Sequence, residues 1–499
     1  MSNGYQSWTE KLHFALKVGL FDQRLDVSEA GIVRTLLNGD GNPISNSADA
    51  FSMDIRTYVD QHAILGDFCD EDRAKHRHDQ IADPSQSSTI TFVRGTPKAS
   101  LVHHISSSLG LDPECILEYY GFSETFRIRS LPSRSPTVAT IRFSSLGMFS
   151  RAPMLEQGSA QLRAELNGQL KDHYRECLTD DRPGVERCRR INVHDARFFT
   201  VEQQATLLTY EESQDSWSGV WFTDFGSESS SRPWIPRSSA GVEAQFYPVT
   251  THGHCSMAPV KPTRSQRNQG NRDYTHPNPF SQVLGGRSPM SEEDCRLCEK
   301  DPFMFLSTIY DTSALTWMQT FSYLRASFES LPPSPTDQAP RLRADKEVLD
   351  RAICYFTETI SFLEHPPKTW QHPGRAKEVA SRLVTDFAVL RNEAESLSKW
   401  CSESISIAMS TISILDSQKS LAEARRVQFI TYLAFILIPM TFIASCFGMN
   451  IQELADPGSS LRMYFTVSVP FTVIMLMIPA FIELRMWREG KREWRFRFR

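Results

Sequence analysis

No long apolar run opens this chain. Its first residues, MSNGYQSWTEKLHFALKVGLFDQRLDV, lack the hydrophobic core of a secretory signal, and Glu10, Asp22 and Asp26 argue against a transit peptide. A disulfide framework is also missing. The ten cysteines are scattered, which fits a reducing compartment for the large N-terminal part. There is no GxSxG, no HExxH and no phosphate-cradling glycine loop, and the histidines form no triad, so the sequence argues against an enzyme. The charge balance excludes another class. Fifty-four basic residues meet 59 acidic ones, a net charge of −5, and no basic stripe points to nucleic acid. The most telling absence is local. No charged residue occurs from Val427 through Gln452, and a second uncharged run covers Met463–Ile482.

The rest of the chain is water-soluble in character. Its 499 residues allow about two to four domains. Residues 1–88 form a poorly defined N-terminal region. Phe14, Leu16, Val18 and Leu20 fit a strand or a short helix, residues 38–43 are a turn cluster, and His76 and His78 stand in a charged, solvated run. Residues 89–250 read as an α/β or α+β cytosolic domain. Strands are predicted at 89–93, 138–143, 197–210 and 219–225, with helical character over 101–120. Asp112-Pro113-Glu114 supplies an N-cap, a proline at the first helical position and a first-turn acid. Residues 251–301 are a low-complexity linker or insertion. A zinc site could draw on His252, His254, Cys255, Cys295 and Cys298, but the usual second CxxC is absent, and reduced unpaired thiols are the plainer reading.

From residue 302 to 426 the chain turns helical, as a bundle and stalk. Helices are predicted at 305–331 and 345–363, each ended by a Pro-Pro pair. A third begins after Pro373-Gly374 and meets no breaker until Pro439. Leu383, Phe387, Leu390, Ala394 and Leu397 recur in steps of four and three, a coiled-coil-like seam. Such a helix would run for about 100 Å before the proline, at about 1.5 Å per residue. One alternative is a bent helix in an ordinary bundle. The other is a stalk continuing into the membrane, which the missing breaker favours.

Residues 427–450 are long enough to cross a bilayer, which needs about 20 apolar residues. Residues 451–462 form an external loop, 463–484 a second span and 485–499 a basic tail. The tail carries a charge of +5, leaving −10 for everything before it. By the positive-inside rule the tail is cytosolic. Thr431, Ala434, Ile438, Thr441 and Ser445, with Val427, share one small and hydroxyl-bearing face of the first span. Phe429, Leu433, Phe435, Met440, Phe442 and Phe447 make a bulky one. The small face suits close packing against copies of the same helix, or a pore in which Thr441 and Ser445 offer oxygens to water or a hydrated ion. Pro439 removes a backbone hydrogen bond and introduces a kink. The span ends at Gly448-Met449-Asn450. Glycine permits a turn there, and the neutral amide oxygen of Asn450 can hold the water shell of a cation such as Mg²⁺, which gives up its water reluctantly. Glu453 and Asp456 add negative charge that concentrates cations at the mouth.

The spacing of Thr431, Ala434, Pro439 and Thr441, the Phe447-Gly448-Met449-Asn450 exit, the second span and the basic C-terminus resemble the CorA family of divalent-cation transporters, in its divergent eukaryotic CorA-like branch. The resemblance covers 420–499 closely, 302–420 moderately and 89–250 weakly. It implies a homopentamer with both termini in the cytosol, and the plasma membrane is favoured over an internal one. It also implies a pore lined by the first span and a filter at Gly448, Met449 and Asn450. The transported ion, Mg²⁺ by family, is cargo, and no cofactor is implied. The expected partners are the lipid bilayer, divalent cations and further copies of the chain, with no nucleic acid. The chain departs from the family pattern at Ile451-Gln452-Glu453-Leu454, where an aromatic residue is usual. Glu423-Ala424 also stands where the inner mouth often has Asn. No regulatory metal pair is evident, with Asp416 and Glu423 the nearest candidates. A zinc transporter of the ZntB type shares the tripeptide. A non-conducting, membrane-anchored binding or scaffold protein would keep the same hairpin.

Overall fold

The structure is a computed structural model. It describes residues 50–54, 88–95, 113–120, 138–149, 159–179, 186–195, 197–212, 216–225, 244–247, 302–329, 334–367, 374–448 and 465–475, with isolated residues between and after them. The chain falls into two compact units, Met1–Ala408 and Met409–Arg499.

The first unit holds a seven-stranded sheet among the described residues. Its strands are β1 (Ala50–Asp54), β2 (Thr89–Arg94), β3 (Val138–Phe149), β4 (Arg190–Val193), β5 (Phe198–Glu212), β6 (Trp217–Thr223) and β7 (Ala244–Phe246). They lie in the order β1-β2-β6-β5-β3-β7, with β4 paired to β5 beside that path. Only β2 and β6 pair in parallel, Thr89 against Ser218. The other pairings are antiparallel. Helix α1 (Pro113–Tyr120) starts at the proline the sequence marks. Its last carbonyls would lack partners at the helix end. Arg187 donates to the oxygens of Tyr119 and Tyr120 at 2.7 Å each, and Arg189 adds a bond to Tyr119 at 2.9 Å.

Four strands expected from alternation are present, with β3 running to Phe149 rather than 143. Helix α2 (Ser159–Thr179) and strand β4 are additions that the sequence reading lacked. Most of α2 is polar, and among its described side chains only Leu166 and Leu170 reach full burial, so its periodicity is faint. They pack with Phe149, Ile191, Val193, Phe199, Val201 and Phe246. Within that cluster Phe199 lies across Gly147 on β3. A Cβ at 147 would stand 2.4 Å from the ring, so only glycine fits.

Three long helices complete the unit. Helix α3 (Pro302–Glu329) is buried along most of its length and seals the sheet. Phe303, Phe305, Ile309, Tyr310, Trp317 and Phe321 join Ile90, Ile141, Phe143, Leu207, Trp217 and Trp221 in one apolar core. Helix α4 (Pro335–Glu364) begins ten residues before the predicted start. Pro335 suits the first turn because its missing N–H would have had no partner there. Helix α5 (Arg375–Gly448) follows Gly374, whose φ of 59° is the left-handed conformation glycine tolerates. Leu383, Phe387, Leu390, Ala394 and Leu397 are all buried against α3 and α4. Tyr310 meets Phe387 edge-on at 5.9 Å, and Phe328 stacks on Trp400 at 4.5 Å. The seam read from the sequence is therefore real within this unit. The helix also continues through Pro439 to Gly448 as one element.

Candidate functional site

The candidate site lies in the second unit, on α5 beyond Met409. Here α5 passes the length and composition required to cross a membrane. It is the one helix among the described residues that does so. Within the second uncharged run the described residues form a shorter apolar helix, α6 (Phe465–Met475).

Burial divides this part of α5 into faces. Tyr432, Ile436, Pro439 and Ile443 lie in steps of four, three and four. Pro439 and Ile443 are buried and the other two half-buried. This is the face covered inside the protomer, and its residue types alone do not single it out. The small-residue face is left open. Thr431, Ile438, Thr441 and Ser445 are exposed, and Ala434 is half-buried. The bulky positions Phe429, Leu433, Phe435 and Phe442 are exposed as well. The protomer thus uses a third face for its own packing and leaves both predicted faces free. On α6, Ser468 is the buried position, and Thr472, one turn on, donates to its carbonyl at 2.7 Å.

The hydroxyls on the open face have defined hydrogen-bond roles. Thr431 donates to the carbonyl of Val427 at 2.8 Å. Thr441 directs its hydroxyl to the carbonyls of Leu437 and Ile438, at 2.8 and 2.9 Å. A threonine hydroxyl has one hydrogen and two lone pairs. With the hydrogen committed to the helix, each oxygen faces outward as an acceptor alone. That arrangement suits water molecules whose hydrogens point away from a cation.

Gly448 is the last residue of α5. Met449, Asn450, Glu453 and Asp456 lie outside the described residues, as do His76, His78, His252, His254, Cys255 and Cys295. Cys298 is buried, and the Trp217 indole donates to its carbonyl at 2.9 Å. Among the described residues no group of three or more His, Cys, Asp or Glu could hold a metal ion. Asp416 and Glu423 are exposed on α5.

Residues 341–484 match the family model described as CorA-like Mg²⁺ transporter protein. Over that stretch the chain is similar to the CorA-like family. The match starts within α4, takes in all of α5 and continues through α6. The sheet lies outside it. No curated protein matches the chain. In the first unit, the polar joint between sheet and helices was invisible in the sequence. His194, Asp195, Arg163, Arg341 and Asp345 meet there from segments far apart in the chain. No local spacing could have signalled it.

Proposed function

We propose that the protein moves divalent cations across a membrane, with Mg²⁺ as the cargo, through a pore that α5 lines in a homo-oligomer. The observation that carries this reading is the open face of α5. In a stretch matched by a transporter family, Thr431 and Thr441 are exposed with their hydroxyl hydrogens already committed. One such helix cannot enclose a channel, so several copies must contribute. A homopentamer, as the resemblance implies, would bring five acceptor faces together. Exposed Ile414 and Leu421, seven residues apart on the same helix, are the kind of apolar positions that neighbouring copies cover.

In this reading Gly448, Met449 and Asn450 form the filter. A ring of Asn450 amide oxygens holds the hydrated ion by its water. Glu453 and Asp456 raise the local cation concentration at the outer mouth. Ile438 narrows the path between the two threonine levels, Ser445 lies nearer the filter, and Pro439 gives the lining helix a point of flexure. Residues 463–484 return the chain as a second span. The basic tail then lies in the cytosol with the N-terminal domain, and the plasma membrane is the site. The driving force is the membrane potential, about 2.3 kcal/mol per charge for each 100 mV.

Reconstituted liposomes test this directly. Mg²⁺ uptake under an inside-negative potential is expected, and Asn450→Ala should abolish it without loss of insertion or assembly. Normal uptake in the variant would remove the filter assignment. A wild-type protein that passes neither Mg²⁺ nor Zn²⁺ would leave the helix as an anchor. Zn²⁺ flux without Mg²⁺ flux would reassign the cargo.

A further inference from the structure

Arg425 and Arg426 occupy the last turn of α5 before the uncharged run begins at Val427. Both are exposed. Among the described residues neither guanidinium has an ion-pair partner, even though Glu423 is only two and three residues away. This contrasts with three arginines of the first unit, which are paired: Arg189 with Asp224, Arg351 with Glu202 and Arg382 with Asp311.

Their position on the helix is specific. Phe429 lies four residues beyond Arg425 and three beyond Arg426, and Ile430 lies four beyond Arg426. Phe429 and Ile430 are 69% and 64% exposed, and Leu433 and Leu437 extend the same apolar surface. Helical side chains lean toward the N-terminus. The two guanidiniums therefore reach away from the apolar surface, toward the level where hydrocarbon gives way to headgroups. Long basic side chains at membrane boundaries likewise place their charge in the polar layer. Arginine matches a phosphate with two parallel N–H donors, which a lysine cannot reproduce.

We propose that Arg425 and Arg426 form a binding site for the phosphate of an anionic phospholipid in the cytosolic leaflet, its acyl chains lying along Phe429, Ile430 and Leu433. The site rests on the reading of α5 as a membrane span, but not on conduction. The net charge of +5 in the tail after residue 484 falls on the same side of the membrane in that reading, and it favours an anionic lipid over a zwitterionic one. A phosphate group could also come from solution. The apolar surface directly beyond the two arginines favours the lipid, because a soluble phosphate gains nothing from it.

The full-length protein reconstituted with spin-labelled phosphatidylserine or phosphatidylcholine tests the site. The wild type should prefer phosphatidylserine, and the R425Q/R426Q variant should lose about fivefold of that preference or more. R425K/R426K, which keeps the charge but not the paired donors, should fall between the two. Flotation with liposomes shows insertion independently. A wild-type chain that fails to float would overturn the membrane reading beneath the proposal, whereas a floated variant with unchanged preference would overturn the site alone. Equal association of both lipids with the wild type also overturns it. Saturable binding of inorganic phosphate in phosphatidylcholine alone would assign the arginines to a soluble anion instead.

Discussion

His194 donates from Nδ1 to Oδ1 of Asp345 across 2.7 Å, and both side chains are fully buried. The histidine sits in the turn between β4 and β5, and the aspartate is on α4, so this contact joins sheet to helix. Nε2 of His194 meets the Thr200 hydroxyl at 3.1 Å. Arg163 of α2 and Arg341 of α4 each lie 3.8 Å from the same carboxylate. Asp195, next in the turn, accepts from the Tyr323 hydroxyl of α3 at 2.5 Å. One turn of the sheet thereby contacts both α3 and α4.

Removing the carboxylate should therefore cost more than a surface ion pair would. Asp345→Ala leaves Arg163 and Arg341 buried without their shared counter-charge. A loss of about 3–5 kcal/mol is expected, as for other broken buried pairs. Asp345→Asn, which keeps an acceptor oxygen for His194, should cost less. Denaturant unfolding of the full chain in detergent, followed by tryptophan fluorescence, measures both. An unchanged midpoint for the alanine variant would remove the joint from the account of stability.

Glu202 gives the first unit an acid-side dependence. Burial alone would raise its carboxyl, but the Arg351 charge and hydrogen bond, together with the Asn192 amide, outweigh it and hold the group below its usual range. A depressed folded-state value means that the unfolded chain takes up the proton first. The stabilisation is complete above the ordinary glutamate value of about 4.3 and is lost as pH falls through the lower folded value. The unfolding midpoint should drop as pH falls below about 4. Glu202→Gln should flatten that part of the profile, and an identical profile in the variant would assign the acid dependence elsewhere.

Thr441 offers a functional prediction separate from the filter. Thr441→Val keeps the shape of the side chain and removes the acceptor oxygen. If each copy loses about 1 kcal/mol of interaction with the water shell, flux should fall by about fivefold or more. Helicity should be unchanged, because the Thr441 bonds to Leu437 and Ile438 only supplement the helix ladder. Uptake equal to wild type in matched liposomes would place Thr441 away from the ion path.

Several features were legible in the sequence because their signals are local. The seam from Leu383 to Leu397 and the starts of α1 and α5 depend on residues a few positions apart. So does the uncharged stretch after Arg426. Strands β2, β5 and β6 showed through alternation for the same reason. Helix α2 is faint in the sequence because it is mostly polar and, among its described side chains, only Leu166 and Leu170 reach full burial. The early start of α4 was hidden by Pro335 and Pro340, which read as breakers when no fold is in view.

By itself the sequence determined that the chain carries an uncharged run of membrane-spanning length closed by Gly448-Met449-Asn450, preceded by a long seam and by a part with net negative charge. These are properties of composition and period, which a linear string carries in full. Only the tertiary structure decided which face of α5 the protomer covers: Tyr432, Ile436, Pro439 and Ile443, with Thr431 and Thr441 left open. It also decided that Phe199 claims the space over Gly147 and that His194 meets Asp345. Those choices depend on contacts between segments separated by tens to hundreds of residues. Chain closure brings such segments together only when the whole core forms, and no local spacing records that event.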